Sequence, residues 1–248
     1  MGRGILLLIL TISYLALYSG EGDTTAIKIK KDTSYWKIET TALINFNQVY
    51  LDNWAAGGES SIAGKSTIGY NADYKKENFI FDNDINIQYG LVGFKSKRIQ
   101  KTDDKLDITS SIGWNASKKW YYSTQLNIKT QFTHGFKYPN DSVAISKFFA
   151  PAKSTLSLGM KYKPNEFLYL FLSPASGKFT FVLDNELANK GSFGVTSAVL
   201  DTLGNVITPG YKYKAQFGIN VIMKIKKEIV KNIKLESKLN LYNNYFDD

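Results

Sequence analysis

Four groups of residues in this chain carry side chains that could do chemistry. The single histidine, His134, would need a carboxylate or a serine beside it to work as a general base or to activate a nucleophile. Its alternate neighbours are Thr130 and Phe132, so it reads as a residue of an interfacial rim. The sequence has no Gly-x-Ser-x-Gly elbow and no pair of histidines, and catalytic residues, a metal site and a cofactor are not expected. The second group, Asp82-Asn83-Asp84-Ile85-Asn86, has the spacing that opens a calcium loop. It lacks the glycine that should follow and the distal glutamate, and it sits inside an alternating segment. Asp82 and Asp84 are therefore expected to line an interior. The third group is Lys129, Lys161, Lys212, Lys214, Lys234 and Lys238, which fall on the polar side of such segments against fewer carboxylates. Lysines around a water-filled interior would favour anions. The plainer alternative is that they only solvate that interior or reach an anionic lipid surface. The fourth group, Asn53, Trp54, Gly57 and Gly58, lies in a long loop. It would form either a ligand-contacting or gating turn, or a structural one with positive φ at the glycines and Trp54 on the rim.

These residues need elements to position them, and the composition narrows what those are. Of the 248 residues, 44% are hydrophobic, with 16 Tyr and 15 Phe, types that favour strands and membrane interfaces. Cysteine is absent, which rules out disulfides and thiolate metal sites. The formal charge is +9, but the lysines are scattered and no nucleic-acid-binding motif accompanies them, so nucleic acid is not expected as a partner. Arg3, followed by the apolar run Ile5-Leu6-Leu7-Leu8-Ile9-Leu10 and then Ser19-Gly20, reads as a secretory signal over residues 1–20. No later segment is apolar enough for a membrane helix, whereas barrel strands need only about 9–11 alternating residues.

From Tyr35 onward the hydrophobic period is two. Trp36, Ile38, Thr40, Ala42, Ile44 and Phe46 share one side. Similar runs cover residues 62–75, 79–91, 106–116, 120–132, 156–162, 167–172, 179–183, 211–223 and 233–241. Folding them across tight turns matches apolar with apolar. A turn at Lys76-Glu77 sets Tyr74 against Phe79 and Ile68 against Ile85; the next sets Trp114 against Tyr122 and Ile112 against Thr124. A third, around Pro164, sets Tyr162 against Phe167 and Met160 against Tyr169. Long connections at residues 51–60, 95–104 and 137–153 alternate with these turns. The long stretch 185–210 breaks the alternation unless residues 192–199 form another strand.

The resulting expectation is an all-β, antiparallel up-and-down transmembrane β-barrel over residues 35–248, with about eleven strands present. Because an odd count suits such a barrel badly, a total of about 12–14 is expected, with the C-terminal strands missing from this sequence.

The segment Asn53-Trp54-Ala55-Ala56-Gly57-Gly58, with Lys101-Thr102-Asp103-Asp104, Trp120-Tyr121-Tyr122-Ser123, Thr130-Gln131-Phe132, Ser146, Pro151, Ser173-Pro174 and Gly191-Ser192-Phe193-Gly194-Val195, resembles a family of bacterial outer-membrane barrels. That family is domain of unknown function 3078, with an N-W-x-x-G-G signature. The resemblance implies a barrel in the cell outer membrane, in contact with its lipid and lipopolysaccharide, and implies no activity. The leading functional expectation is a channel or transporter for a small, anionic solute. The alternative is a non-conducting structural or adhesion barrel whose external loops bind partners. An enzyme is not expected.

Overall fold

The computed structural model describes residues 35–52, 58–95, 97–165, 167–231 and 233–246. The expected signal segment, and Asn53, Trp54 and Gly57 of the motif loop, lie outside the described residues. Among the described residues there are thirteen strands: β1 (Trp36–Val49), β2 (Ser61–Lys76), β3 (Phe79–Phe94), β4 (Gln100–Ser117), β5 (Trp120–Thr130), β6 (Gly135–Phe136), β7 (Ala144–Ser146), β8 (Ala152–Tyr162), β9 (Leu168–Phe181), β10 (Val199–Leu200), β11 (Val206–Thr208), β12 (Tyr213–Val230) and β13 (Ile233–Asn244). One short helix, α1 (Asn185–Asn189), lies between β9 and β10. Nine of the strands make a single sheet in the order β1-β2-β3-β4-β5-β8-β9-β12-β13. Each pairs antiparallel with the next long strand in the chain, so the protein is an all-β up-and-down meander. Two small hairpins, β6–β7 and β10–β11, decorate the connections.

The two-residue period explains this sheet directly, because alternation puts one set of side chains on each face. On one face Trp36 faces Tyr74, Ile38 faces Ala72, and Ala42 faces Ile68. Trp114 faces Tyr122 and Ile112 faces Thr124, as the turn geometry predicts. The turn after β2 differs: it uses Glu77 and Asn78, so Lys76 faces Phe79 and Tyr74 faces Phe81. Glu77 takes a positive φ of 47°, which the expected turn did not require. The slip is an even number of residues, and every side chain keeps its face. The turn after β8 slips by an odd number. Tyr162 faces Leu170 and Met160 faces Leu172, which moves Tyr169 to the polar face. The run Phe167-Leu168-Tyr169-Leu170-Phe171-Leu172 is apolar in both phases, so alternation alone cannot choose between them.

The sheet has nine strands where eleven are expected. Residues 167–172 and 179–183 belong to one strand, β9, interrupted by a bulge at Ser173-Pro174 that shifts register against both neighbours. Residues 192–199 do not pair into the sheet; Ser192–Gly194 is a 3-10 turn, with Gly191 at φ 68° and Phe193 at φ 60°. With β9 continuous, the alternation of turns needs no repair. Tight turns follow β2, β4, β8 and β12, and longer connections follow β1, β3, β5 and β9.

The sheet is strongly curled, with its polar face concave. On a flat sheet β3 and β8 would lie about 14 Å apart, three strand spacings. Yet Lys161 of β8 reaches Asp82 of β3 at 2.7 Å, and Tyr169 of β9 donates to Gln125 of β5 at 2.8 Å. Among the described residues no pairing joins β1 to β13, and closure of the sheet is not observed. No described helix is long and apolar enough to cross a membrane.

Candidate functional site

The concave face encloses a cavity of about 590 Å³, walled by residues from every long strand except β1. Inward positions along the strands are polar because the same alternation that makes the convex face apolar leaves the opposite residues hydrophilic. Five of the residues singled out in the sequence line it: Lys129, Lys161, Lys238, Asp82 and Asp84. Lys212 lies just before β12 instead, where its carbonyl accepts the Val182 N–H at 2.7 Å. Lys214 pairs with Thr180 in the sheet and is not part of the cavity wall. Lys234 pairs with Glu228 along the backbone, and its side chain lies outside the described residues. Gly58 has φ +115°, and a Cβ there would press on Leu51. The cavity also takes Lys153, Lys163, Lys178, Lys224, Asp73 and Tyr169, which the sequence reading did not single out. Continuing the alternation of residues 211–223 one step would have included Lys224. Lys153 and Lys178 fall at strand ends as read from sequence, where no period marks a face.

Charge in the cavity is unevenly distributed. Asp73 and Asp82 stand opposite each other on β2 and β3. Their repulsion is offset by Lys161, 2.7 Å from Asp82, and Lys163, 4.0 Å from Asp73. The Lys161 side chain is fully buried. Asp107 of β4 accepts from Asn127 at 2.7 Å and lies 3.1 Å from Lys105 and 3.6 Å from Lys129. Among the described residues Lys153, Lys178, Lys224 and Lys238 form no ion pair, so the wall built by β8, β9, β12 and β13 is positive. Lys178 and Lys224 sit over the rings of Tyr242 and Tyr169, at 4.9 and 5.5 Å from the centroids.

The bulge in β9 is fastened from inside the cavity. Ser173 Oγ donates to the Leu158 carbonyl at 2.8 Å, and a chain of hydroxyls runs from Ser173 through Ser176 to Ser157, where Asn220 also donates at 3.3 Å. All four side chains are buried. Opposite the bulge sits Gly159, where any Cβ would collide with the backbone of Leu172 and Ser173. The motif pair Ser173-Pro174 thus bends and re-phases the wall.

Other motif residues meet at the end that carries the long connections. Asp104 accepts from the Phe132 and Thr133 N–H groups at 2.8 Å and pairs with Lys101 at 2.7 Å, holding the chain where it leaves β5. Thr130 Oγ1 donates to the Pro151 carbonyl at 3.2 Å and accepts from the Phe149 N–H at 3.2 Å. The connections 131–151 and 182–212 share a small core of Ala150, Val182, Leu187, Ala188 and Val195. Asp184 caps α1 by accepting from the Leu187 N–H at 3.0 Å and pairs with Lys147 at 2.7 Å. The Lys147 hydrogen bond holds the Asp184 carboxyl below its ordinary value and raises the lysine in turn. His134 is exposed in the same region, its ring 6.4 Å from that of Phe136. Among the described residues, no three His, Asp or Glu side chains converge as a metal site would need.

Residues 46–136, from the end of β1 through β6, match the model of a family described as protein of unknown function (DUF3078). That is the numbered family the sequence motifs resemble. No curated protein and no solved structure matches the chain.

Proposed function

We propose that the protein is an exported outer-membrane β-barrel whose lysine-rich interior passes small anionic solutes. The observation that carries this reading is the division of one curled sheet into an apolar convex face and a polar concave one. Large apolar side chains such as Ile44, Phe46, Leu158 and Leu241 are exposed on the outside, where a soluble protein would expose few. Near the tight turns Trp36, Tyr74, Phe79 and Trp114 form a belt, with neighbouring ring centroids 5.1 to 6.1 Å apart. Phe179, Phe181, Tyr213, Phe217 and Tyr245 crowd the other end. Two such belts suit the two interfaces of a bilayer. In this reading residues 1–20 direct export, and outer-membrane lipid and lipopolysaccharide surround the convex face. The excess of lysine in the cavity sets the preference for anions.

A second reading has its own support. Phe171 is fully buried on the inward side of β9, beside the fully buried Lys161, and the two long connections are ordered around their own apolar core. These features suit a non-conducting barrel that presents its loops to a partner. Reconstitution into planar bilayers separates the two. Steps of conductance with a reversal potential displaced toward the anion support passage; a silent bilayer containing folded protein leaves the second reading.

A further inference from the structure

Two pairs of lysines stand directly opposite each other on neighbouring strands of the cavity wall. Lys224 of β12 is the register partner of Lys238 of β13, and Lys129 of β5 is that of Lys153 of β8. All four line the same cavity. Like charges placed directly opposite each other weaken a sheet. Elsewhere the same chain avoids or compensates this arrangement. Two steps along the hairpin Lys226 faces Glu236, and beyond it Glu228 faces Lys234. The facing acids Asp73 and Asp82 are answered by Lys163 and Lys161. Among the described residues, the one carboxylate at ion-pair distance from these lysines is Asp107, 3.6 Å from Lys129 and already 3.1 Å from Lys105; Asp84 and Asp107 act on Lys238 only from farther off. Neutral hydrogen-bonding groups flank the pairs one step along the same face, Asn240 beyond Lys238 and Thr155 beyond Lys153, and both line the cavity.

We infer that the lysine pairs form a binding site for a compact anion carrying two or more negative charges, such as phosphate or a short dicarboxylate. A single divalent ion can bridge both ammonium groups of a facing pair and remove their repulsion at once. A monovalent ion bridges them with half the charge. The inference deepens the proposed passage of anions by adding a discrete, saturable site to a general positive field.

The test is titration calorimetry on the full chain, folded in detergent micelles at pH 7.5, with sodium phosphate and with sodium chloride at matched ionic strength. The wild type is expected to bind phosphate saturably and chloride much more weakly. The double variant K224Q/K238Q should weaken phosphate binding at least tenfold, and K129Q/K153Q should weaken it as well. K190Q, at the exposed end of α1, should leave binding unchanged. Far-ultraviolet circular dichroism checks folding, and the single variants K224Q and K238Q serve if a double variant misfolds. Absent saturation in the wild type, equal binding of chloride, or full retention of phosphate binding in folded K224Q/K238Q would each overturn the inference. Conductance decides the broader reading separately. Anion-selective current without saturable phosphate removes the site and keeps the passage; saturable phosphate in a silent barrel keeps the site and removes the passage.

Discussion

Lys161 of β8 and Asp82 of β3 hold each other at 2.7 Å although β4 and β5 lie between their strands. The lysine side chain is fully buried, and its partner stands opposite a second carboxylate, Asp73. Removing the lysine leaves two facing acids inside a curled sheet. K161M is expected to lower stability by about 3 kcal/mol, as breaking a buried pair does, and adding D82N should restore part of the loss. Urea unfolding in micelles reads both. An unchanged midpoint for K161M would show that the pair contributes nothing to the curl.

Gly159 and Gly64 make a matched comparison. A methyl on Gly159 would run into the backbone of the β9 bulge, whereas one on Gly64 meets nothing within 4 Å. G159A is therefore expected to cost about 2 kcal/mol or more, through forced backbone movement, and G64A to be close to neutral. Equal midpoints for the two variants would mean that the bulge can shift freely.

The Lys147–Asp184 pair gives the long connections an acid response. The carboxyl is held below its ordinary value of 3.8, so its contribution is present above that value and is lost as the pH falls through the lower, folded one. The lysine is raised above 10.5, so its contribution is full below that value and fades only at higher pH. Between those limits the cap should be steady. Amide exchange at Leu187, corrected for its intrinsic rate, should quicken as the pH drops below about 3.8 in the wild type. In D184N, where position 184 cannot titrate, it should be faster at neutral pH, and its acid response should shrink to what Glu186, held low by its hydrogen bond to Lys190, contributes.

A hydrogen-bonded polar pair sits on the mostly apolar face: Ser110 Oγ donates to Asn83 Oδ1 at 2.7 Å, between β4 and β3, and Asn83 also borders the cavity. Against lipid, a lone Asn83 would lose its partner with no water to replace it. S110A is expected to cost about 1–3 kcal/mol in a bilayer, while S110A/N83V should be near neutral because both polar groups leave together. If S110A is harmless in lipid vesicles, that face is wet and the membrane reading weakens.

Much of this architecture is visible in the alternation of residue types, because a sheet with one apolar and one polar face has to write that period into its strands. Trp114 opposite Tyr122 follows from counting alone. The failures have a common physical origin. A bulge adds a residue and reverses the phase, so Leu172 and Ala175 share a face across Ser173-Pro174. Read by period, β9 looks like two strands, and the spurious break then calls for another strand at residues 192–199. The run around Tyr169 is apolar in both phases and hides which ring turns inward. For the cavity, alternation assigns Lys129, Lys161 and Lys238 to the polar side, but nothing local reveals that Lys129 faces Lys153, or Lys224 faces Lys238. Those relations depend on register between strands, which turns of uncertain length set. The bridge from Lys161 to Asp82 depends on curvature, which no single strand encodes.

The segregation of tight turns to one rim and long connections to the other has a practical consequence. If the proposed barrel spans a bilayer, a protease, antibody or charged label applied from one side would find either all four long segments or none of them. Cleavage within 182–212 would therefore report the accessibility of 131–151 as well, without a separate probe. The molecule carries its own compass, and a single reagent that cannot cross lipid suffices to read its heading.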